Sequence, residues 1–378
     1  MEVVELLKEL VKLDTRNPPG KTSEIAEYIA KIFSSYNCRF YEKVDGKTNL
    51  VIEINKGKPT LMLNSHLDTV PAEDILLNPI IVNGKLYGRG SCDAKASVAA
   101  MISAALKVQP ECGLKVVFTA DEEVGGANGL GYVFQRDSAD AVVIGEPTGL
   151  NCIGVLQAAV ISLDIDFRGK SGHSAFQNSE YGAIFKAAKY ITEKVKEFER
   201  LRGDYTHYKE FFASLGFEFS LKSWEAVFNP AIIQGGIKRN VVAESCKIKA
   251  DIRFAPWLSS EGIKLSLKRF DDIEYRFEGF LPPYGVKYDN VKIEDDIKML
   301  KLLGSVVRSF SLTPKALFSL GVGDTRHVRK HGVPAFYYGP SGGNMHAENE
   351  FVRIDELKKF VDAYINIINK FPEFFRKS

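Results

Sequence analysis

The chain has 378 residues, of which 45% are hydrophobic and 26% charged, the composition of an ordinary globular protein and not of a disordered one. Because one hydrophobic core usually stops growing at about 250–300 residues, two domains are expected. Lysine plus arginine (50) nearly balances aspartate plus glutamate (48), and no dense basic stripe occurs. These features argue against nucleic-acid and membrane partners and favour a small-molecule partner.

The expected compartment is the cytoplasm. Residues 1–14 have the pattern of an amphipathic helix with charges throughout, unlike the apolar region of a signal peptide. No apolar run approaches the roughly 20 residues that span a bilayer. The five cysteines are odd in number and never form a C-x-x-C pair, which argues against a disulfide framework and a thiolate metal site.

The first 150 residues alternate apolar strand patterns with helical periodicities. Helices are predicted at 2–13, 23–35, 94–108 and 126–135, and strands at 50–54, 60–64, 114–119 and 141–144. This alternation predicts an α/β catalytic domain with a largely parallel or mixed sheet flanked by helices.

The pattern changes near Val155. A strand at 160–167, a helix at 180–199, strands at 232–233 and 244–254, a helix at 260–270 and a strand at 273–278 follow the β-α-β-β-α-β order of a ferredoxin-like unit. The long aromatic segment 201–229 is expected to pack rather than bind. After Pro283 the α/β pattern returns, with helices at 295–310, 324–330 and 355–371 and strands at 315–319 and 335–338. We therefore predict a discontinuous catalytic domain (1–157 and 284–378) and an inserted α+β domain (158–283).

Candidate ligands follow the predicted strands. In Asn64-Ser-His66-Leu-Asp68, a histidine at a strand end precedes a carboxylate that could hold its second ring nitrogen, as in metal sites; a structural H-x-D pair is the alternative. The glycine-rich turn 87–93 places Asp93 just before a predicted helix. Asp93 would either cap that helix or hold two metal ions, one on each carboxylate oxygen.

Further carboxylates and a second histidine complete the set. Asp121-Glu122-Glu123 follows the strand 114–119, and consecutive carboxylates repel unless cations lie among them, so a solvated acidic loop and a metal site both fit. Glu146 follows the strand 141–144, and His346 lies in a glycine-rich loop after the strand 335–338. Loops at such positions gather the ligands of an α/β sheet. Two histidines and three carboxylates, with one carboxylate to spare, are the side chains of a two-metal hydrolase.

In order, the motifs H-x-D, G-R-G-x-x-D-x-K, E-E, G-E-P-T and a distant histidine resemble those of a di-zinc metallopeptidase and deacylase family. This family includes succinyl-diaminopimelate desuccinylase, acetylornithine deacetylase, aminoacylase and glutamate carboxypeptidase, and the resemblance covers nearly the whole chain. It implies three ligands for each of two zinc ions, with one shared aspartate: His66, Asp93 and Glu146 for one ion, and Asp93, Glu123 and His346 for the other.

The resemblance also implies the chemistry. Asp68 would orient His66, Glu122 would be the general base, and a cis peptide would follow Asp93. Two Zn²⁺ ions per subunit, which Co²⁺ can replace, would activate a shared water and polarise the amide carbonyl while Glu122 accepts the proton.

Other segments resemble the family's substrate contacts. His173 in Lys-Ser-Gly-His-Ser-Ala would act as a lid histidine that donates to the scissile carbonyl; a loop histidine with no task is the alternative. Asn240 and Arg253 resemble lid residues that bind substrate, although Arg253 also suits a surface ion pair. The glycine-rich segment 321–326 would contact a substrate carboxylate at a helix start, through Asp324, Thr325 and Arg326.

The leading hypothesis is a deacylase of N-acyl amino acids, and the segment Met345-His-Ala-Glu-Asn-Glu350 favours the desuccinylase side. A metallocarboxypeptidase or dipeptidase is the alternative, because both classes need a carboxylate clamp beside two zinc ions. An inactive metal-binding protein is disfavoured, since it would not need Glu122. The family further implies a homodimer that assembles through the lid domain, with His173 supplied by the neighbouring subunit.

Overall fold

A computed structural model describes residues 2–221, 224–268 and 273–376. The α-helices in these residues are α1 (Val3–Lys12), α2 (Ser23–Ile32), α3 (Lys95–Ala105), α4 (Leu130–Val133), α5 (Ala183–Arg200), α6 (Thr206–Ser214), α7 (Ser260–Leu267), α8 (Ile293–Ser309), α9 (Thr325–Arg329) and α10 (Ile354–Phe375).

The strands of the first half of the chain are β1 (Asn37–Glu42), β2 (Thr48–Asn55), β3 (Thr60–His66), β4 (Ile80–Val82), β5 (Lys85–Tyr87), β6 (Gly113–Thr119), β7 (Ala141–Pro147), β8 (Cys152–Gln157), β9 (Ala159–Arg168) and β10 (Gly172–His173). Those of the second half are β11 (Glu218–Leu221), β12 (Ala226–Gly235), β13 (Val241–Val242), β14 (Ser245–Phe254), β15 (Ile273–Leu281), β16 (Lys315–Ser319), β17 (Ala335–Gly339), β18 (Gly342–Gly343) and β19 (Phe351–Arg353).

The larger sheet has nine strands in the order β1-β2-β6-β3-β7-β17-β8-β16-β11. Its centre is parallel, from β6 through β3 and β7 to β17, whereas β1, β2 and the β17–β8 contact are antiparallel. Every residue of β3 is buried, as expected for a central strand covered on both faces. The predicted mixed α/β sheet is therefore confirmed.

Helix α3 has the most enclosed position of the helices that cover this sheet. All of its residues are buried, and it packs against β3, α1 and α10. Five of its eleven residues are alanines, whose small side chains let the neighbouring elements approach closely. The helix thereby fixes the position of the turn that precedes it.

The smaller sheet has four antiparallel strands in the order β12-β14-β9-β15. Helices α5 and α7 bury apolar residues against it, including Tyr190, Phe198 and Leu267, in a core separate from that of the larger sheet. With α5 after β9 and α7 after β14, this is the predicted ferredoxin-like order, which is confirmed. Of the predicted helix 260–270, the last two residues lie outside the described residues.

The segment between α5 and β12 is positioned differently from its neighbours in the chain. Helix α6 and strand β11 join the far edge of the larger sheet, where β11 pairs in parallel with β16. Several aromatic residues of this segment pack, as predicted: Tyr208, Phe212 and Phe217 are buried in the large core, whereas Trp224 is 53% exposed. We propose that residues 158–283 form the inserted domain, apart from 206–221, which pack on the larger sheet.

A third sheet connects two distant parts of the chain. Its order is β18-β19-β5-β4, and β19 pairs with β5 through Phe351 opposite Tyr87. Residues just after β5 are therefore held beside residues just before β19. Among the described residues, no helix combines the length and apolar character needed to cross a bilayer.

Helix α4 is shorter than the predicted helix 126–135. Gly125 and Gly126 have φ angles of +113° and +66°, which a right-handed helix does not allow, so the chain turns before the helix begins. The turn keeps residues 122–124 at the end of β6.

Candidate metal centre

The carboxyl ends of three parallel strands, β3, β6 and β7, meet at one edge of the larger sheet. His66 is the last residue of β3, Glu123 lies in a short turn after β6, and Glu146 is near the end of β7. Asp93 lies between β5 and α3, and His346 lies between β18 and β19. The structure thus brings all five predicted metal ligands to one place.

These residues form two groups that share Asp93. His66 Nε2 lies 3.1 Å from Asp93 Oδ1 and 3.7 Å from Glu146 Oε1. His346 Nε2 lies 3.3 Å from Asp93 Oδ2 and 3.4 Å from Glu123 Oε2. In each group the candidate ligand atoms all lie within 4.8 Å of one another. The two oxygens of Asp93 therefore face different groups, as a bridging carboxylate requires.

The polar atoms of the site fit two cations. Glu123 Oε1 and Glu146 Oε1 are buried and accept no hydrogen bond, an arrangement that is costly for carboxylates without a positive partner. Imidazole nitrogens and carboxylate oxygens are donors that zinc accepts. The peptide bond between Asp93 and Ala94 is cis, as the family resemblance implied.

The pKa values reflect the crowding of these carboxylates. Burial, followed by the charge of Glu146, raises the pKa of Glu122 well above its ordinary value. Burial raises the pKa of Glu146 to about 8, and the nearby charge of Asp93 adds to the effect. Hydrogen bonds to Asp93 and Glu123 raise the pKa of His346 to about 10. Cations among these groups would oppose the carboxylate shifts, because a bound ion is the largest local charge in a site.

Asp68 contacts both His66 and the acidic turn. Its backbone carbonyl lies 2.9 Å from His66 Nδ1, whereas its carboxylate lies 3.7 Å from the same nitrogen. The carboxylate accepts hydrogen bonds from the backbone N–H groups of Glu122 (3.1 Å) and Glu123 (3.2 Å), and from Asn17 Nδ2 (3.1 Å). The ring of His66 is thus held mainly by a main-chain oxygen, and the Asp68 side chain holds the turn that carries Glu122.

Glu122 belongs to neither ligand group. A Cβ atom added at Gly323 would lie 2.8 Å from Glu122 Oε1 and 2.7 Å from the Tyr337 hydroxyl. Only glycine therefore leaves room for both side chains. Glu122 is held close to the ligands without being one of them, the position that a general base needs.

A cavity of about 720 Å³ adjoins the two ligand groups. Asp93, Glu122, Glu146 and His346 form part of its lining, and β9 and β15 of the smaller sheet contribute an opposite wall. Two arginines, Arg253 and Arg326, also line it. The cavity therefore combines candidate metal ligands, a carboxylate outside both ligand groups and two arginine side chains.

The predicted substrate contacts fall into separate places. Arg253 lines the cavity while its Nε donates to Asp251 (2.8 Å), so the ion pair and the cavity position coexist. Arg326 Nη2 donates to the Gly125 carbonyl (2.7 Å). Asp324 and Thr325 are buried beside it.

His173 and Asn240 are absent from the cavity lining. His173 pairs with Val241 in the β10–β13 ladder, and the carbonyl of Asn240 accepts a hydrogen bond from the Ser174 N–H (3.1 Å). The two residues lie together on the inserted domain. His173 is exposed there, so it is available to another surface.

Two residues near the site carry no motif that the sequence analysis used. Tyr337 lies on β17 and lines the cavity, and its hydroxyl accepts a hydrogen bond from the Thr325 N–H (3.2 Å). Gln157, at the end of β8, donates to the same hydroxyl. A polar residue at the end of an apolar strand is the signal that could have identified Gln157, whereas Tyr337 lies in the middle of β17.

Residues 62–370 match the model of peptidase family M20/M25/M40. The chain belongs to this family. N-acetyl-L-citrulline deacetylase of Xanthomonas campestris pv. campestris is 26% identical, over 97% of this chain and 97% of that protein. The probable succinyl-diaminopimelate desuccinylase of Staphylococcus epidermidis is 24% identical, over 98% of each chain. A tripeptidase structure from Staphylococcus aureus subsp. aureus Mu50 covers 97% of this chain and 96% of its own, with a TM-score of 0.73 and 22% identity.

The predicted family is therefore confirmed. As an M20 metallohydrolase, the protein acts on amide or peptide bonds, and the members of this family depend on metal ions. The predicted ligands form the groups that such dependence requires.

Proposed function

We propose that the protein hydrolyses the amide bond of an N-acyl amino acid, as a desuccinylase or deacetylase does. The observation that carries this proposal is the pair of ligand groups joined by Asp93, next to an unliganded Glu122 and a cavity with two guanidinium groups. Curated relatives named as a deacetylase and a desuccinylase over nearly the whole chain support it.

His66, Asp93 and Glu146 would hold one Zn²⁺, and Asp93, Glu123 and His346 the other. Co²⁺ would be able to replace either ion. Bound there, the ions would lower the pKa of a water molecule and polarise the substrate carbonyl. Their assignment as zinc rests on the family resemblance, and the mixed nitrogen and oxygen donors are ones that zinc accepts.

Glu122 moves the proton in this proposal. Its carboxylate accepts a proton from the attacking water and passes it to the nitrogen of the leaving amine. Burial, followed by the charge of Glu146, raises its pKa, and a higher pKa makes the carboxylate a stronger proton acceptor. Asp68 keeps the carboxylate in place through the main chain of Glu122.

Arg253 and Arg326 would bind the carboxylate groups of the substrate. Asp324 and Thr325, buried beside Arg326, would support it, and Asn240 would contact substrate from the neighbouring subunit, as His173 would. A guanidinium can donate two parallel hydrogen bonds to a carboxylate. Two such groups on one cavity suit a substrate with two carboxylates, as an N-succinyl amino acid has.

Arg253→Ala tests this binding role together with the substrate class. The substrates are N-succinyl, N-acetyl and dipeptide compounds, assayed with zinc and with cobalt. For wild type we expect the highest kcat/KM on an N-acyl amino acid. For the variant we expect KM to rise about tenfold, since a hydrogen bond to a charged group contributes about 1.5–3 kcal/mol. An unchanged KM with a sharply lower melting temperature would make Arg253 a structural ion-pair residue of Asp251.

A metallocarboxypeptidase or dipeptidase is the second candidate. The cavity is long enough to extend from the metal ligands to Arg253 on the inserted domain, so a peptide with a free carboxylate would also fit. The similar tripeptidase structure supports the same scaffold. Preference for dipeptides over every N-acyl amino acid in the panel would favour this candidate.

We further propose a cytoplasmic homodimer that assembles through the inserted domain. Strand β12 is at an edge of the smaller sheet, where Ile232 and Ile233 are exposed, and α5 exposes Ile184 and Phe185. The free cysteines suit a reducing compartment. His173 would then reach the cavity of the neighbouring subunit.

Subunit exchange tests this arrangement. Two inactive variants, His173→Ala and Glu122→Gln, should recover about a quarter of wild-type activity when equal amounts are mixed and exchanged, because half of the dimers are hybrids with one intact site. Light scattering that shows a monomer, or a hybrid with no activity, would show that His173 does not act across subunits.

A further inference from the structure

One buried carboxylate beside the ligand groups is neither a ligand nor the base. Glu350 is 2% exposed and accepts four hydrogen bonds from one short turn. Its Oε2 accepts from Arg89 Nη1 (2.6 Å) and the Gly90 N–H (3.2 Å). Its Oε1 accepts from the N–H groups of Cys92 (2.9 Å) and Asp93 (3.0 Å). One side chain thus organises the whole turn that ends at the bridging aspartate.

The main chain around Glu350 is attached to the same turn. The Glu350 carbonyl accepts hydrogen bonds from the Gly88 N–H (3.2 Å) and from Ser91 Oγ (3.3 Å). The second terminal nitrogen of Arg89 donates to the Ala347 carbonyl (3.2 Å). These bonds join residues 88–93 to residues 347–350, beyond the β5–β19 pairing that brings the two segments together.

The two joined segments carry ligands of the same group. Asp93 ends one segment, and His346 immediately precedes the other. His346 is 54% exposed and has a φ angle of +65°, so neither burial nor a regular element fixes its position. By contrast, His66 and Glu146 lie on strands in the centre of the larger sheet. The group that contains His346 therefore depends most on Glu350.

We propose that Glu350 is a positioning residue that holds Asp93 and His346 in register for the metal ion of the His346 group. The proposal rests on the metal ligands assigned under the proposed function. A carboxylate has two oxygens that accept, one for each pair of donors. A glutamine amide has only one oxygen that accepts, and its other group, N–H₂, is a donor. That donor would face other donors, either the Arg89 guanidinium and the Gly90 N–H or the N–H groups of Cys92 and Asp93.

The test compares Glu350→Gln with Glu348→Gln, which makes the same chemical change on the same loop at an exposed side chain. Each protein is freed of metal by chelation and titrated with zinc in a calorimeter. We expect wild type and Glu348→Gln each to bind two ions, and each site to have the same affinity in both proteins. Glu350→Gln should bind the ion of the His346 group about 10–100-fold more weakly, as is typical when an outer partner of a metal ligand is lost. The other ion should lose less affinity, because it shares only Asp93 with this group while His66 and Glu146 lie on strands.

Two further measurements separate positioning from a purely structural role. The rise in melting temperature on adding zinc should be smaller in Glu350→Gln than in Glu348→Gln. Excess zinc should restore kcat in Glu350→Gln, while KM stays unchanged. If Glu350→Gln does not fold, Glu350→Asp keeps the charge with a shorter reach and should weaken the same site by a smaller factor.

Unchanged affinity at both sites of Glu350→Gln would overturn the proposal. So would an equal loss at both sites together with a lower melting temperature in the chelated protein, because that pattern means general destabilisation. A wild-type protein that binds fewer than two ions would instead refute the metal assignment itself.

Discussion

Glu122→Gln is expected to keep both metal ions and to lower kcat by about 10²–10⁴-fold, the usual contribution of a general base. Glu122 is in neither ligand group, so the substitution removes no donor from the ions. Glutamine has nearly the same shape and fits the space beside Gly323, but its amide cannot take a proton from water. Because the defect lies in proton transfer, KM should change little.

The adjacent Glu123→Gln is the matched control. Both side chains lie in the same turn, and the Asp68 carboxylate accepts a hydrogen bond from the backbone N–H of each. Glu123 Oε2 lies 3.4 Å from His346 Nε2, so its replacement should weaken the second metal ion instead. Metal analysis and kcat are measured on both variants. Wild-type kcat in Glu122→Gln, with both ions present, would refute the base.

The meeting of His66, Glu123 and Glu146 at one edge could be predicted from strands with a strong local pattern. Apolar runs before these residues predict strands, and parallel strands bring their carboxyl ends to one edge. Their assignment as metal ligands came from the family resemblance. His346 needed more than local pattern. It lies on a loop far along the chain, and only the family resemblance joined it to Asp93.

The position of residues 206–221 could not be predicted from local pattern. Phe212 and Phe217 indicate burial, but they do not tell which of two cores receives them. The pairing of β11 with β16 joins residues almost one hundred positions apart, and such contacts leave no periodicity in the sequence. Chain order alone therefore assigned the segment to the inserted domain.

Some roles within the site also required three-dimensional contacts. The sequence predicted that the Asp68 carboxylate orients His66, yet the nearer oxygen is the Asp68 backbone carbonyl. Every residue has a backbone carbonyl, so no sequence motif indicates which carbonyl will bind a side chain. Glu350 is similar, because its four donors lie in a turn that precedes it by more than 250 residues.

Asp93→Ala is expected to release both metal ions at zinc concentrations that saturate wild type. Each Asp93 oxygen faces a different group, so one substitution removes a ligand from both. His66→Ala and His346→Ala are the matched variants, and each should weaken one ion only. The zinc affinity of each site should fall by more than the about 10–100-fold expected when an outer partner of a ligand is lost. This larger loss distinguishes the role of Asp93 from that of Glu350.

The fold should tolerate this change. The Asp93 N–H that donates to Glu350 is a main-chain group that alanine keeps, so the turn 89–93 retains its anchor. Zinc should therefore no longer raise the melting temperature of Asp93→Ala, while circular dichroism of the chelated protein matches wild type. Metal content after gel filtration measures the loss directly. Two tightly held ions in Asp93→Ala would refute the proposal that Asp93 is a ligand of both ions.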